Sequence, residues 1–126
     1  VGVLLGLTGI QWQNGAFEPV TFECSSPEIT DGDTLRCGSR SVRLEGIDAP
    51  EMPGHCEPGR NCAPGDPYAS AESLWHIVGN SPLQCRQTDI DDYGRTVARC
   101  SAGNVDLSCA QLDADQAIPR YGIIWC

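Results

Sequence analysis

Residues 20–45 read VTFECSSPEITDGDTLRCGSRSVRLE, and this stretch decides the fold. It holds three short runs, Val20–Cys24, Thr34–Cys37 and Ser41–Glu45, with turn-forming Asp31-Gly32 and Gly38-Ser39 between them. Apolar and β-branched residues near a period of two, punctuated by Gly, Asp and Ser, predict strands of a three-stranded meander. Outward from it comes a loop rich in Pro, Gly and Cys, from Pro50 to Gly65. Asp66-Pro67 then has the form of a helix N-cap followed by a first-turn proline. Tyr68, Ala71, Leu74, Trp75 and Val78 recur at helical spacing up to Gly79, which predicts a helix packing that stripe on the core. Leu83–Arg86 and Thr96–Cys100 read as a second strand pair around an Asp-rich turn. A short helix from Val105 to Ala114 follows, with Leu107, Cys109, Ala110 and Leu112 available for its buried side. The order is strand-strand-strand-helix-strand-strand-helix, an α+β domain that is mainly β.

The 126 residues suffice for one core, and no repeat or linker divides them. One domain is expected over residues 21–126, preceded by an apolar segment over 1–20. Its first ten residues, Val1 to Ile10, are too few to span a bilayer, which takes about 20. They read either as the remnant of a signal or anchor segment, with a membrane anchor upstream of Val1, or as a tail or added edge strand.

Seventeen acidic residues face eight basic ones, a net charge of −9, and every basic residue is arginine. Such a surface repels polyanions at long range, so any phosphate recognition must be local and rest on a few arginines. The acidity itself reads as keeping a secreted protein soluble. Eight cysteines in so short a chain predict disulfides and an extracytoplasmic setting, periplasmic or secreted. Zinc is the poorer reading: there is no CxxC pair, and His55, Cys56 and Cys62 have the spacing of no familiar zinc module. Cys24 and Cys37 flank the Asp31–Asp33 turn as neighbouring hairpin strands would, and Cys85 and Cys100 flank the Asp89–Arg95 turn. Cys56 with Cys62 would close a small loop, leaving Cys109 with Cys126. Eight cysteines allow about a hundred pairings, so this set is an expectation from topology.

Three polar segments carry the chemistry: Thr30-Asp31-Gly32-Asp33-Thr34, Arg43-Leu44-Glu45-Gly46-Ile47-Asp48-Ala49-Pro50-Glu51 and Asp91-Asp92-Tyr93-Gly94-Arg95. Acidic groups with arginines are what metal-assisted phosphodiester cleavage needs: oxygen ligands for a hard cation, a carboxylate to ready water, guanidiniums for the developing charge. Asp31 and Asp33 share a face if the backbone stays extended, and separate if Gly32 turns. Arg43 precedes Asp48 by an odd offset, so a continuous strand would put them on opposite faces; a break at Gly46 would bring them together. Pro50 restrains Ala49 to extended backbone. Asp89 to Gly94 begins like an EF-hand loop, but Tyr93 stands at a ligand position and Cys100 replaces the closing Glu.

In order and character these segments closely resemble the staphylococcal-nuclease-like (thermonuclease) family, over roughly Ile29 to Gly122. The resemblance implies a five-stranded OB-type barrel carrying two or three helices. It implies calcium held by Asp33, Asp48 and the Ala49 backbone carbonyl, with Asp31 nearby as an outer or structural carboxylate. Glu51 would be the general base or water-orienter, and Arg43 and Arg95 the phosphate-binding arginines. Tyr93 and Tyr121 would touch the terminal phosphate and nucleotide, although a core tyrosine accounts for Tyr121 equally well. Ala49 stands where the family often has Thr, and Asp92 where it commonly has a basic residue. The implied activity is calcium-dependent hydrolysis of DNA and RNA, favouring single strands, at the 5′-oxygen to leave a 3′-phosphate. A monomer with no protein partner is expected. The alternative is a nuclease-like binding or accessory module of the cell envelope, weak or inactive as a catalyst, with a link to exopolysaccharide biosynthesis in some family members.

Overall fold

The computed structural model describes residues 20–126, and the expectations for the segment before Val20 lie outside the described residues. Among the described residues nine strands and two helices follow one another. They are β1 (Thr21–Cys24), β2 (Glu28–Asp31), β3 (Thr34–Cys37), β4 (Arg40–Leu44), β5 (Ile47–Asp48), α1 (Pro67–Val78), β6 (Leu83–Ile90), β7 (Thr96–Ala102), β8 (Val105–Asp106), α2 (Leu107–Asp113) and β9 (Ile118–Pro119). The main sheet runs β1-β6-β7-β4-β3-β2, with β8 added to β7, while β5 and β9 form a separate pair. All neighbours are antiparallel except β4 and β7, the junction between meander and hairpin.

The ends of that path are consecutive in the chain. β1 and β2 lie at opposite edges, yet only Ser25, Ser26 and Pro27 separate them. Even fully extended, Cys24 to Glu28 spans at most about 14 Å. The two edges are therefore drawn together, and the sheet curls into a half-barrel. The Cys24–Cys37 disulfide bridges the same seam from β1 to β3, with Cα atoms 5.3 Å apart.

Two strands of the expected meander are present as β3 and β4, but its first member is Glu28–Asp31 rather than Val20–Cys24. Its members are β2, β3 and β4, whereas Val20–Cys24 pairs with β6 on the far edge. Pro27, which has no N–H to give a ladder, stands at the break between β1 and β2. Cys24 and Cys37 do bond, but across the seam rather than across one hairpin. The other pairs are also those expected, Cys56–Cys62, Cys85–Cys100 and Cys109–Cys126. With both thiols in a disulfide, Cys56 and Cys62 hold no zinc.

Leu83 and Cys85 on β6 and Ala98, Cys100 and Ala102 on β7 alternate inward, with Cys85 directly opposite Cys100. They join Leu35, Val42, Leu44, Ile47, Leu74, Val78 and Leu107 in one core. Asp66 caps α1, its carboxylate accepting from the Tyr68 and Ala69 N–H groups. The buried face of α1 is Ser70, Leu74 and Val78; Tyr68 and Trp75, expected inside, are exposed. Ser70 takes the inward position because α1 leans on the 31–33 turn, where only a small side chain fits. On α2 the buried residues are Leu107, Ser108 and Gln111, with Cys109, Ala110 and Leu112 half-buried. No helix among the described residues is long and apolar enough to cross a membrane.

Candidate functional site

The turn between β2 and β3 is clamped from beneath. Gln111 on α2 is fully buried and donates to the carbonyls of Gly32, at 2.8 Å, and Ser70, at 2.9 Å. Ser70 in turn donates its hydroxyl to the Gln116 carbonyl. Both helices thereby fix the backbone that presents Asp31 and Asp33. Gly32 turns rather than extends, and the Asp33 N–H donates to Asp31 Oδ1 at 3.1 Å.

Asp33 is buried and fully engaged. Its Oδ1 accepts from the Thr34 hydroxyl at 2.9 Å, and its Oδ2 from the Ala49 N–H at 2.8 Å. Arg43 Nη1 lies 2.9 Å from the same Oδ2, an ion pair that misses hydrogen-bond alignment. Arg43 sits between Val42 and Leu44 on β4, and all three are buried. Strand alternation turns Arg43 away from the two apolar residues, so the far side of β4 is covered by the acidic cluster. Gly46, with φ of +83°, breaks the strand, and the chain returns so that Arg43 Nη2 meets Asp48 Oδ1 at 3.5 Å. The odd offset between Arg43 and Asp48 is thus overcome by the break at Gly46.

Asp48 has no solvent exposure and three guanidiniums around it. Arg120 Nη1 approaches Oδ2 at 2.7 Å, and Arg60 Nη2 lies 3.4 and 3.5 Å from Oδ1 and Oδ2. Burial, then the charge of Asp33, pushes its carboxyl above the usual range against the pull of these arginines. Burial likewise, with the adjoining Asp33 charge next, raises Asp31 to about 7. Four carboxylates thus share a region with three arginines.

Arg60 and Arg120 carried no role in the sequence reading. Arg60 belongs to the loop closed by Cys56–Cys62, where its guanidinium pairs with Glu51 and donates to the Tyr121 hydroxyl at 3.2 Å. Those hydrogen bonds hold its proton more firmly than in a free arginine. Arg120 follows β9, and its N–H donates to the Gly46 carbonyl. Tyr121 is exposed, not a core residue, and its ring lies 5.7 Å from the Arg43 guanidinium. The one available signal was an arginine inside the Cys56–Cys62 loop, which comes shortly after Glu51 in the chain.

Arg95 stands apart in its contacts. Its Nε donates to Asp91 Oδ2 at 2.6 Å, and its guanidinium lies 5.5 Å from the ring of the exposed Tyr93. Among the described residues no hydrogen bond ties it to Asp33, Asp48 or Glu51. It does enter the sheet next to the cluster, since Thr96 pairs with Val42 and Val97 with Arg43.

The assembled acceptors are carboxylate oxygens, the kind a hard cation takes, with the Ala49 backbone beside them through its N–H. As they stand, no three acidic, His or Cys side chains among the described residues converge as a metal-binding group. The Asp48 oxygens are turned to arginine instead. The carboxylates fit calcium in kind; the present partners of Asp33 and Asp48 are guanidiniums. No protein-family model matches the chain, and no curated protein matches it.

Proposed function

We propose that this chain is a calcium-dependent phosphodiesterase acting on single-stranded DNA and RNA, its curled sheet an OB-type barrel. One observation carries the reading: Asp33, Arg43, Asp48 and Ala49, from two separate motifs, meet in one cluster, with Glu51 joined to it through Arg60 and exposed Tyr121 at its rim. Asp33, Asp48 and the Ala49 carbonyl would hold the ion, with Asp31 close behind. When bound there, calcium would supply Lewis-acid polarisation of a phosphoryl oxygen. Glu51 takes the proton of the attacking water or orients it. Arg43 and Arg95 give the phosphate oxygens charge-assisted hydrogen bonds as charge builds on them. Tyr93 and Tyr121 flank the nucleotide. Cleavage at the 5′-oxygen, a monomeric state and an extracytoplasmic location complete the proposal, the last supported by four disulfides.

A second reading, a nuclease-like binding or accessory module of the envelope, is favoured by one observation. Arg60 occupies both Glu51 and Asp48, a base and a ligand on the first reading.

Hydrolysis of labelled single-stranded DNA by the disulfide-intact protein, in calcium and then in excess EGTA, separates the two. The enzyme shows calcium-dependent cleavage that falls about 10²–10⁴-fold in Glu51→Gln, the usual worth of a general base. A folded protein that binds calcium without cleaving supports the module.

A further inference from the structure

Of the three arginines around Asp48, one differs in how it is held. Arg43 is embedded in β4, and Arg120 is tied by its own backbone N–H to the Gly46 carbonyl. Arg60 lies on irregular chain, its N–H reaching only to Glu57 within the same small loop. Its side chain is also the most exposed of the three, at 31% against 25% for Arg120 and 10% for Arg43. A single guanidinium there spans three groups: Glu51 through Nη1, Asp48 and the Tyr121 hydroxyl through Nη2. Glu51 has no other ion-pair partner among the described residues.

We propose that Arg60 is a displaceable counter-ion, competing with a divalent cation for Asp48 and holding Glu51 until that cation binds. The inference rests on the reading of Asp48 as a calcium ligand. Its physical basis is charge balance. Burying several carboxylates together is costly, so in the metal-free protein the loop arginine adds its charge to that of Arg43 and Arg120 around Asp48 and is the partner of Glu51. A doubly charged ion makes that service redundant and repels the guanidinium, which can leave by rotation of its half-exposed side chain while the loop stays held by the Cys56–Cys62 disulfide and by Arg120 Nη1 on the Asn61 carbonyl. Because the same guanidinium grips Glu51, leaving Asp48 also frees the carboxylate that would handle water. Cation binding and release of the base then become one event, and a phosphate oxygen is the natural new partner for the departed arginine.

The test is calcium binding, followed by isothermal titration calorimetry, on disulfide-intact wild type, Arg60→Gln and Arg36→Gln. Arg36 is exposed on β3, and its substitution removes the same charge away from the cluster. Near-UV circular dichroism verifies that each is folded. Competition predicts at least tenfold tighter binding in Arg60→Gln and a near-unchanged value in Arg36→Gln. Equal affinity in wild type and Arg60→Gln overturns the inference and leaves the calcium reading standing. Equal tightening in both variants also overturns it, since net charge alone would then be responsible. No binding by any of the three overturns the calcium reading and the inference with it. A second measurement needs no variant: the side-chain ¹⁵N–¹H resonances of the eight arginines in wild type. Calcium should shift Arg60 toward the solvent-exchanging position of a free guanidinium; an Arg60 signal unmoved at saturation overturns the proposal.

Discussion

A methyl group on Gly32 would lie 1.8 Å from Ser70 Oγ and 2.8 Å from the Ala49 side chain. Helix α1 approaches the turn so closely that no side chain fits at position 32. The obstacle includes a buried residue whose hydroxyl is already committed, so the clash cannot be relieved by a rotamer change alone. Gly32→Ala is expected to cost about 2–3 kcal/mol, in the range of core overpacking. The measurement is the shift in urea midpoint; a change of only a few tenths of a kcal/mol would contradict the packing described. Asp-Gly-Asp announces a turn to any reader of the sequence, but the need for glycine does not follow from the turn. It comes from Ser70, which the helical spacing had not placed inward. Gln111 was hidden for a related reason. A helical period ranks positions by apolarity, while this buried position is chosen by two carbonyls that need a donor.

The β6–β7 hairpin is closed at its tip by one carboxylate. Asp91 Oδ1 accepts from the N–H groups of Tyr93 and Arg95, and Oδ2 from the Arg95 guanidinium. Burial alone would raise this carboxyl; the Arg95 backbone and side chain, with the Tyr93 N–H, outweigh it and hold the pKa below the ordinary carboxylate value. A depressed native pKa means stability that is present above the unfolded value and lost as pH falls through the native one. Asp91→Asn should therefore melt below wild type at neutral pH, and the gap should close in acid. A gap that persists there would assign the effect to hydrogen-bond shape rather than charge. Of the elements, this hairpin and the capped α1 were the most legible, because their signals are local: alternation in β7 and Asp66-Pro67 at the helix start. The first strand was the least legible. Nothing within residues 20–45 says that Val20–Cys24 has its partner in residues 83–86, and a nearer pairing looks equally good from sequence.

Across the molecule, the charge and the topology set different terms. A net charge of −9 leaves little long-range attraction for a polyanion, so a nucleic acid would be held by Arg43, Arg95 and the arginines near them. Two motifs of the candidate cluster, around Asp33 and from Arg43 to Glu51, were legible because they lie close in the chain; the third, ending in Arg95, stands apart in its contacts. That Arg60 and Arg120 close over the cluster was not legible, because both arrive from irregular segments. The half-barrel depends on the seam between β1 and β2. Replacing Cys24 and Cys37 by serine is expected to cost about 3 kcal/mol from released chain entropy alone. Hydrogen exchange should then accelerate first in β1 and β2 and last in the β6–β7 ladder; uniform acceleration would argue against a local seam.

That seam also separates chain continuity from molecular continuity. Ser25 and Ser26 are exposed, and the strand before them is held twice, by its ladder to β6 and by Cys24. A protease cutting between the two serines would sever the backbone without releasing a fragment. The product would be two polypeptides that travel as one body until a reductant parts them. New chain termini could be opened at the same place, at the junction where the sheet meets itself.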